Sequence, residues 1–275
     1  RGFMTLISRA LLLCVPLVLF AIAGALYSPE PPKSEDTDIA LGSLPKLPEW
    51  TADGLPDFSG YQDTTEKKAA FFSFLYPRIE LANNRILLER EYLQSLSGKD
   101  ELADDELGWL ERQADRLRVE AKNGSPRQFE QLTEKLDVIP PSLIMAQAAN
   151  ESAWGTSRFA TEGNNLFGQW CFTRGCGLVP LSRPEGANHE VAKFSSPYYS
   201  VRSYIQNLNR HPAYQQLRSI RSAARADGDA FSGIALAQGL LSYSERGEEY
   251  IKEIRAMIRY NNLEFYDKQF RAQLD

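Results

Sequence analysis

Glu151 is the residue whose type and surroundings most clearly suggest chemistry. It is the only charged residue between residues 143 and 155 (LIMAQAANESAWG), where alanine and larger apolar residues predominate. Prolines before the run and a glycine at its end predict a buried helix with Glu151 in its last turn. Burial, the helix dipole and Trp154 on the same face all favour the uncharged carboxyl. Such a group can act as a general acid, although a glutamate at a helix end can also simply reach solvent.

Three ordered motifs resemble those of the glucosaminidase domain of bacterial cell-wall hydrolases. They are residues 146–157 (AQAANESAWGTS), residues 164–168 (NNLFG), and Tyr243 followed by residues 250–254 (YIKEI). The resemblance implies a lysozyme-like fold, peptidoglycan as the substrate, and cleavage of the β-1,4 bond after N-acetylglucosamine with Glu151 as the general acid. Upstream, residues 64–72 (TTEKKAAFF) and the apolar N-terminal segment are similar to the Bax group of bacterial envelope proteins.

The resemblance also assigns residues around the acid. It places Tyr243 in the catalytic set and Asn164 and Phe167 along the substrate cleft. Tyr250 matches a later motif position, which either binds substrate or packs the last helix. Trp154 joins the substrate-binding set beside the acid. Aromatic faces suit sugar rings, and amide or phenol groups suit their hydroxyls, although core packing is an alternative for Phe167.

The identity of a second catalytic carboxylate is left open by the sequence. Glycosidases with two carboxylates use the second to activate water, attack the sugar or stabilise its charge. The stretch that corresponds to the family's β-hairpin region contains Glu185 and Glu190. We favour Glu190 because the residues after it alternate as in a strand. A solvent-facing glutamate is the alternative, and the substrate's N-acetyl group is another candidate for the second role.

Cys171 and Cys176 enclose four residues and can close a small structural disulfide in an oxidising compartment. Their spacing differs from C-x-x-C, which argues against a redox or metal role. The chain has three cysteines, two histidines and no metal-ligand spacing, so we expect no metal and no cofactor. Its net charge of -5 argues against a general nucleic-acid binder.

The expected fold class is mainly α (α+β), with a lysozyme-like C-terminal domain and a small β-hairpin region, preceded by a helical region and an N-terminal membrane segment. Apolar periodicity predicts a helix that Pro77 ends or kinks, followed by helices at 83–96, 104–122 and 126–136. Trp50 and Phe58 are expected to dock the end of a proline-rich linker. The predicted divisions are 1–28 (signal anchor or signal peptide), 29–60 (linker), 61–137 (helical packing region), 138–266 (glucosaminidase domain) and 267–275 (tail).

Residues 10–27 form an apolar run that follows Arg9 and is interrupted by Pro16. Its length lies between that of a signal-peptide core and that of a membrane-spanning helix. We favour an anchor, which would place the protein in the periplasm, tethered to the inner membrane. Cleavage would instead give a secreted protein. The expected partners are peptidoglycan glycan strands, the inner membrane and an unidentified envelope regulatory protein.

Two other functions remain open from the sequence. One is lytic transglycosylase or muramidase chemistry, which also uses a glutamate in a lysozyme-like fold. The other is a non-catalytic wall-binding envelope protein. An acid within so apolar a helix argues against the second, because burying an unused acid is costly.

Overall fold

The computed structural model describes residues 44–181, 183, 186–229 and 232–273. The predicted N-terminal segment, residues 1–28, and the first part of the linker lie outside the described residues. Among the residues described, no helix is both long and apolar enough to span a bilayer. The described residues all fall within one compact unit.

Ten α-helices, three short 3-10 helices (Glu49–Ala52, Pro212–Tyr214 and Ala237–Leu240) and three short β-strands make up the regular structure of the described residues. The helices are α1 (Thr64–Ser97), α2 (Asp104–Leu117), α3 (Pro126–Lys135), α4 (Pro141–Glu151), α5 (Arg158–Gly163), α6 (Pro197–Arg210), α7 (Gln215–Ala226), α8 (Gly233–Leu236), α9 (Glu248–Tyr260) and α10 (Glu264–Arg271). The strands are β1 (Trp170–Cys171), β2 (Gly177–Leu178) and β3 (Glu190–Ala192). The predicted mainly α (α+β) class is confirmed, and the architecture is consistent with a lysozyme-like fold.

The prediction of a separate helix at 83–96 was wrong, because α1 passes through Pro77 as one helix of 34 residues and does not end there. The N terminus is capped by Asp63, whose carboxylate accepts a 2.8 Å hydrogen bond from the amide of Glu66. A proline inside a helix removes a backbone hydrogen bond. In the same turn the Arg78 guanidinium donates to the carbonyl of Phe74 at 2.8 Å. Because buried residues lie on both sides of the proline, packing holds the two halves in one helix.

The next two helices begin where the sequence predicts. Helix α2 ends before the predicted residue 122, because Arg118 adopts a left-handed φ of 54°. Helix α3 begins at Pro126, a position where a missing amide donor costs little. The Ser125 hydroxyl caps α3 by accepting a 3.3 Å hydrogen bond from the amide of Gln128. The sequence therefore predicted the starts of both helices more accurately than the end of α2.

Helix α4 lies in the main hydrophobic core, packed against α1, α8, α9 and α10. Its residues from Pro141 to Ala149 are all buried, which explains why its sequence lacks a polar face. Phe71 and Leu75 of α1 belong to the same core as Leu143 of α4. The helical region before residue 138 therefore packs directly onto the helix that carries Glu151.

Residues 44–60 form a strap that packs onto the folded unit, so this part of the predicted extended linker is not extended away from it. A 3-10 turn at Glu49–Ala52 is its regular element. Phe58 is 2% exposed, and its ring meets Phe71 edge to face at 5.4 Å. The Arg78 guanidinium lies 5.2 Å from the Trp50 ring. The predicted docking of Trp50 and Phe58 is confirmed.

The β region is a three-stranded antiparallel sheet in the order β1-β3-β2. Gly177 pairs with Ala192, and a Cβ atom at Gly177 would lie 2.0 Å from the carbonyl oxygen of Val191, so only glycine fits. The predicted disulfide joins Cys171 and Cys176, whose Cα atoms lie 6.2 Å apart, across the turn between β1 and β2. Both the small β region and the disulfide are confirmed.

Candidate active site

Glu151 is the last residue of α4 and is half-buried. The helix stops there because residues 153–155 take left-handed φ angles of 50°, 61° and 77°. At Gly155 a Cβ atom would also lie 2.6 Å from the ring of Phe58. Glu151 therefore sits at the negative end of a buried helix, as the sequence predicts.

Trp154 does not lie one helical turn beyond Glu151, so the predicted shared helix face was wrong. The left-handed turn redirects its ring against Phe71 and Phe72, with centroids 5.9 Å and 5.3 Å apart. The Lys68 ammonium lies 5.0 Å from the same ring. The indole ring therefore packs the turn after α4 against α1. Its role in substrate binding stays a prediction.

Tyr250 is the direct polar partner of Glu151. Its hydroxyl, carried by α9, donates a 2.7 Å hydrogen bond to Glu151 Oε1. Tyr250 is 1% exposed, and burial together with the charge of Glu151 raises the pKa of its phenol, which stays a donor. The sequence left Tyr250 open between substrate binding and packing of the last helix; the structure places its hydroxyl on the acid and away from solvent, and its role in substrate binding stays a prediction. The Asn150 amide also approaches Oε1, at 3.4 Å, while Oε2 receives no hydrogen bond from the described residues.

Tyr243 and Phe167 join this site through stacked rings. The ring of Tyr243 lies parallel to that of Tyr250, with centroids 5.4 Å apart, and its hydroxyl donates to the Phe167 carbonyl at 3.2 Å. Burial raises the pKa of Tyr243, so it too is a neutral donor. Phe167 is 3% exposed and stacks on Tyr204 at 4.1 Å. The Phe167 ring therefore lies in the core. Half-buried Tyr243 stacks on Tyr250, the hydrogen-bond partner of Glu151.

Asn164 links three parts of the protein. It ends α5 with a left-handed φ of 50°. Its Oδ1 accepts from the amide of Leu55 in the strap at 3.3 Å, and its Nδ2 donates to the carbonyl of Phe194 at 3.0 Å. The neighbouring Asn165 donates to the carbonyl of Ala192 in β3 at 2.9 Å. Both ends of the Asn164 amide have partners within the protein, and its role in substrate binding stays a prediction.

Glu190 lies on β3, 5% exposed, and holds the loop that the disulfide closes. Its Oε1 accepts from the amide of Gly175 at 3.0 Å and its Oε2 from the amide of Gly177 at 2.8 Å. These hydrogen bonds lower the pKa of Glu190 and keep its carboxylate ionised. The contacts describe a structural role, and the catalytic role of Glu190 stays a prediction. The other candidate, Glu185, lies outside the described residues.

The side chains of Cys171, Cys176 and Glu190 lie close together, with potential ligand atoms within 4.8 Å of one another. The two sulfur atoms are bonded to each other and so provide no thiolate. Metal binding by cysteine requires the thiolate, so this group does not form a metal site.

Gln147 and Tyr204 are two polar residues next to the acid that the sequence analysis did not single out. Gln147 is fully buried and its amide donates to the Tyr250 hydroxyl oxygen at 2.9 Å. The hydroxyl of Tyr204 donates to the carbonyl oxygen of that amide. The sequence could have indicated Gln147, because it is a polar residue with apolar neighbours, four positions before Glu151 on the same helix. Tyr204, on the distant helix α6, carried no such signal.

Comparison with known proteins places this site in a family. The family model named Glucosaminidase, described as mannosyl-glycoprotein endo-beta-N-acetylglucosaminidase, matches residues 126–263. The chain is also 34% identical over 209 residues to Protein bax of Escherichia coli (strain K12), across 75% of this chain and 74% of that protein. The chain belongs to the glucosaminidase family. No solved structure matches it.

The family match contains Glu151, Tyr243 and Tyr250 and begins at α3, upstream of the domain start predicted at residue 138. The strap and α1 lie outside the match, yet they supply Phe58 and Phe71 to the same core. Membership of the glucosaminidase family supports a glycosidase-type enzyme, as the motifs predict.

The Glu190→Gln variant distinguishes a structural role of this glutamate from a catalytic one. Glutamine keeps one acceptor oxygen but turns an amide donor toward Gly175 or Gly177, so one backbone amide loses its partner. We expect a lower midpoint of thermal unfolding and faster reduction of the disulfide. We expect kcat on purified glycan to change by less than about 10-fold, below the effect typical of losing a general acid or base.

The surface pair Arg158 and Glu162 offers a control, Glu162→Gln, for which none of the three measurements should change. A loss of kcat of about 10²-fold or more in Glu190→Gln, with an unchanged unfolding midpoint, would instead identify Glu190 as the second catalytic carboxylate.

Proposed function

We propose that this member of the glucosaminidase family hydrolyses peptidoglycan glycan strands at the β-1,4 bond after N-acetylglucosamine, with Glu151 as the general acid. The observation that carries the proposal is the asymmetric environment of this carboxyl group. Its Oε1 is held by the Tyr250 hydroxyl at 2.7 Å, whereas its Oε2 receives no hydrogen bond from the described part of the chain. A carboxyl with one oxygen held and the other open can present a proton in a defined direction.

In the proposed reaction, Oε2 of protonated Glu151 gives its proton to the glycosidic oxygen as the bond from C1 of N-acetylglucosamine to that oxygen breaks. Positive charge develops on the sugar ring and needs a stabilising group. Water then forms a bond to C1, and the proton that it loses restores Glu151. Both oxygens of Glu190 already bind backbone amides, so the contacts favour the substrate's N-acetyl oxygen as the stabilising group.

Product analysis tests the bond that is cut. Purified sacculi are digested with the full chain, and the fragments are identified by mass spectrometry beside a Glu151→Gln sample. We expect reducing N-acetylglucosamine ends that the variant does not release. Reducing N-acetylmuramic acid ends would indicate a muramidase, and 1,6-anhydro ends a lytic transglycosylase. Binding to sacculi without any product would indicate a non-catalytic wall protein.

We also propose that the enzyme works in the periplasm, tethered to the inner membrane by residues 1–28. The apolar run at residues 10–27 and the Cys171–Cys176 disulfide, which suits an oxidising compartment, support this location. Cell fractionation should find the full chain in the inner membrane and a chain without residues 1–28 outside it. Recovery of the full chain in the soluble periplasmic fraction would favour a cleaved signal peptide. An unidentified envelope regulator remains a proposed partner.

A further inference from the structure

Gln147 is a fully buried polar residue one helical turn before Glu151 on α4. Every other residue from Pro141 to Ala149 is apolar apart from Ser142 at the start of the helix. Burying an amide without partners is unfavourable, so its hydrogen bonds indicate what it does.

Both ends of the Gln147 side chain are hydrogen-bonded, and the bonds form a chain that ends on the acid. The hydroxyl of buried Tyr204 donates to Gln147 Oε1. Gln147 Nε2 donates to the hydroxyl oxygen of Tyr250 at 2.9 Å. The Tyr250 hydroxyl then donates to Glu151 Oε1 at 2.7 Å.

The chemistry of these groups determines the direction of the chain. An amide oxygen only accepts and an amide nitrogen only donates. With Oε1 of Gln147 toward Tyr204, its nitrogen faces Tyr250, whose single hydroxyl proton is therefore available for Glu151. If the amide were reversed, the Tyr250 proton would be drawn to Gln147 and the Tyr204 proton would lose its acceptor. The orientation of Gln147 thus decides whether Glu151 receives the hydrogen bond from Tyr250.

The titratable groups around the chain do not compete for this role. Burial raises the pKa of Tyr204, Tyr243 and Tyr250, so all three are neutral phenols. The cation of Arg246 lies 5.5 Å from the Tyr250 ring and is paired with Glu253 at 2.5 Å.

We propose that Gln147, oriented by Tyr204, is a positioning residue that directs the Tyr250 hydroxyl onto Oε1 of Glu151 and so leaves Oε2 as the oxygen that transfers the proton. This inference rests on the proposed function, since it assigns a task to the machinery behind the proposed general acid. Gln147 itself touches neither the substrate nor the reacting atoms and acts only through Tyr250.

The test is a double-mutant cycle with Gln147→Met and Tyr250→Phe, measured as kcat and KM on purified glycan. Methionine keeps the volume of glutamine but has no amide. We expect each single variant to lower kcat by about 10–100-fold with little change in KM, because a misdirected acid slows proton transfer without weakening binding. The double variant should be no slower than Tyr250→Phe alone, since Gln147 acts through that hydroxyl.

The pH profile provides a second readout. A general acid works only when it is protonated, so kcat falls at high pH. Removing a hydrogen-bond donor from the carboxylate disfavours its ionised form. The alkaline limb of the kcat profile should therefore move to higher pH, by the same amount in Gln147→Met and Tyr250→Phe. Tyr204→Phe, which removes only the hydroxyl that orients Gln147, should move it in the same direction and serves if Gln147→Met does not fold.

A matched control is Gln113→Met in α2, because Gln113 is also fully buried but lies on a helix whose Leu110 and Ala114 belong to a separate hydrophobic cluster. Its kcat and pH profile should match the unmodified chain. Multiplying effects in the double variant, or an unchanged kcat in Gln147→Met while Glu151→Gln is inactive, would overturn the positioning role. Full activity in Glu151→Gln would instead overturn the proposed function itself, so the two failures are distinguishable.

Discussion

Replacing Glu151 with glutamine is expected to reduce kcat on purified glycan by about 10²–10⁴-fold, the range typical of losing a general acid. Glutamine has nearly the same shape, and its carbonyl oxygen can still accept the hydrogen bond from Tyr250. It has no acidic proton to give to the leaving oxygen. The release of reducing ends from sacculi measures the loss, and thermal unfolding checks that the fold is retained.

The control is Glu162→Gln on α5, which removes an exposed carboxylate paired with Arg158 at 3.3 Å. This variant should keep full activity. Glu151→Gln should also still bind sacculi in a sedimentation assay, because the substitution removes a proton donor and leaves the surrounding surface intact. Residual activity within about 10-fold of the unmodified chain would show that another group donates the proton.

The largest expected effect on stability lies at Asp137, just before the helix that carries the acid. Its carboxylate is buried and receives two 2.5 Å hydrogen bonds from Arg225. Arg221 and Arg90 approach it at 3.7 Å and 3.8 Å. The Asn209 amide donates to its carbonyl at 2.8 Å. Asp137 thereby connects the start of α4 with α1, α6 and α7.

Asp137→Asn should lower the free energy of unfolding by roughly 3–5 kcal/mol, because removing one partner of a buried ion pair leaves buried charge without compensation. Arg221, which is fully buried, would lose the nearest negative charge. Urea unfolding at neutral pH measures the change. The control Glu134→Gln removes a carboxylate that is 40% exposed and 3.7 Å from Arg218, and its effect should be small. A loss below about 1 kcal/mol in Asp137→Asn would contradict the role of Asp137.

The same cluster predicts how stability depends on pH. Burial opposes ionisation of Asp137, but the hydrogen bonds from Arg225 and the charges of Arg221 and Arg90 outweigh it and hold its pKa below the ordinary 3.8. A pKa that is lower in the folded than in the unfolded state stabilises the folded protein at pH values above the unfolded-state pKa. This contribution is lost as the pH falls through the folded-state pKa. Stability should therefore decline below about pH 4, and the decline should be smaller in Asp137→Asn.

Features that depend on neighbouring residues could be predicted from the sequence. Glu151 stands alone in an apolar run bounded by proline and glycine, so its place at the end of a buried helix followed from local preferences. The disulfide between Cys171 and Cys176 closes over a few residues and needed no knowledge of the fold. The start of α3 at Pro126 was predictable for the same reason. In each case the interacting groups are close together along the chain.

Features that depend on distant residues were decided by tertiary packing. Helix α1 stays continuous through Pro77 because buried side chains hold both of its halves. The turn after α4 places the Trp154 ring against α1, in the space that the strap and α1 leave beside that turn. Tyr250 lies 99 positions from Glu151, and no periodicity could show that its hydroxyl points at the acid. The apolar pattern around Glu151 therefore determined where the proposed acid lies. Packing among α4, α6 and α9 determined how the acid is held, because a hydrogen bond depends on distance and direction that only the folded chain sets.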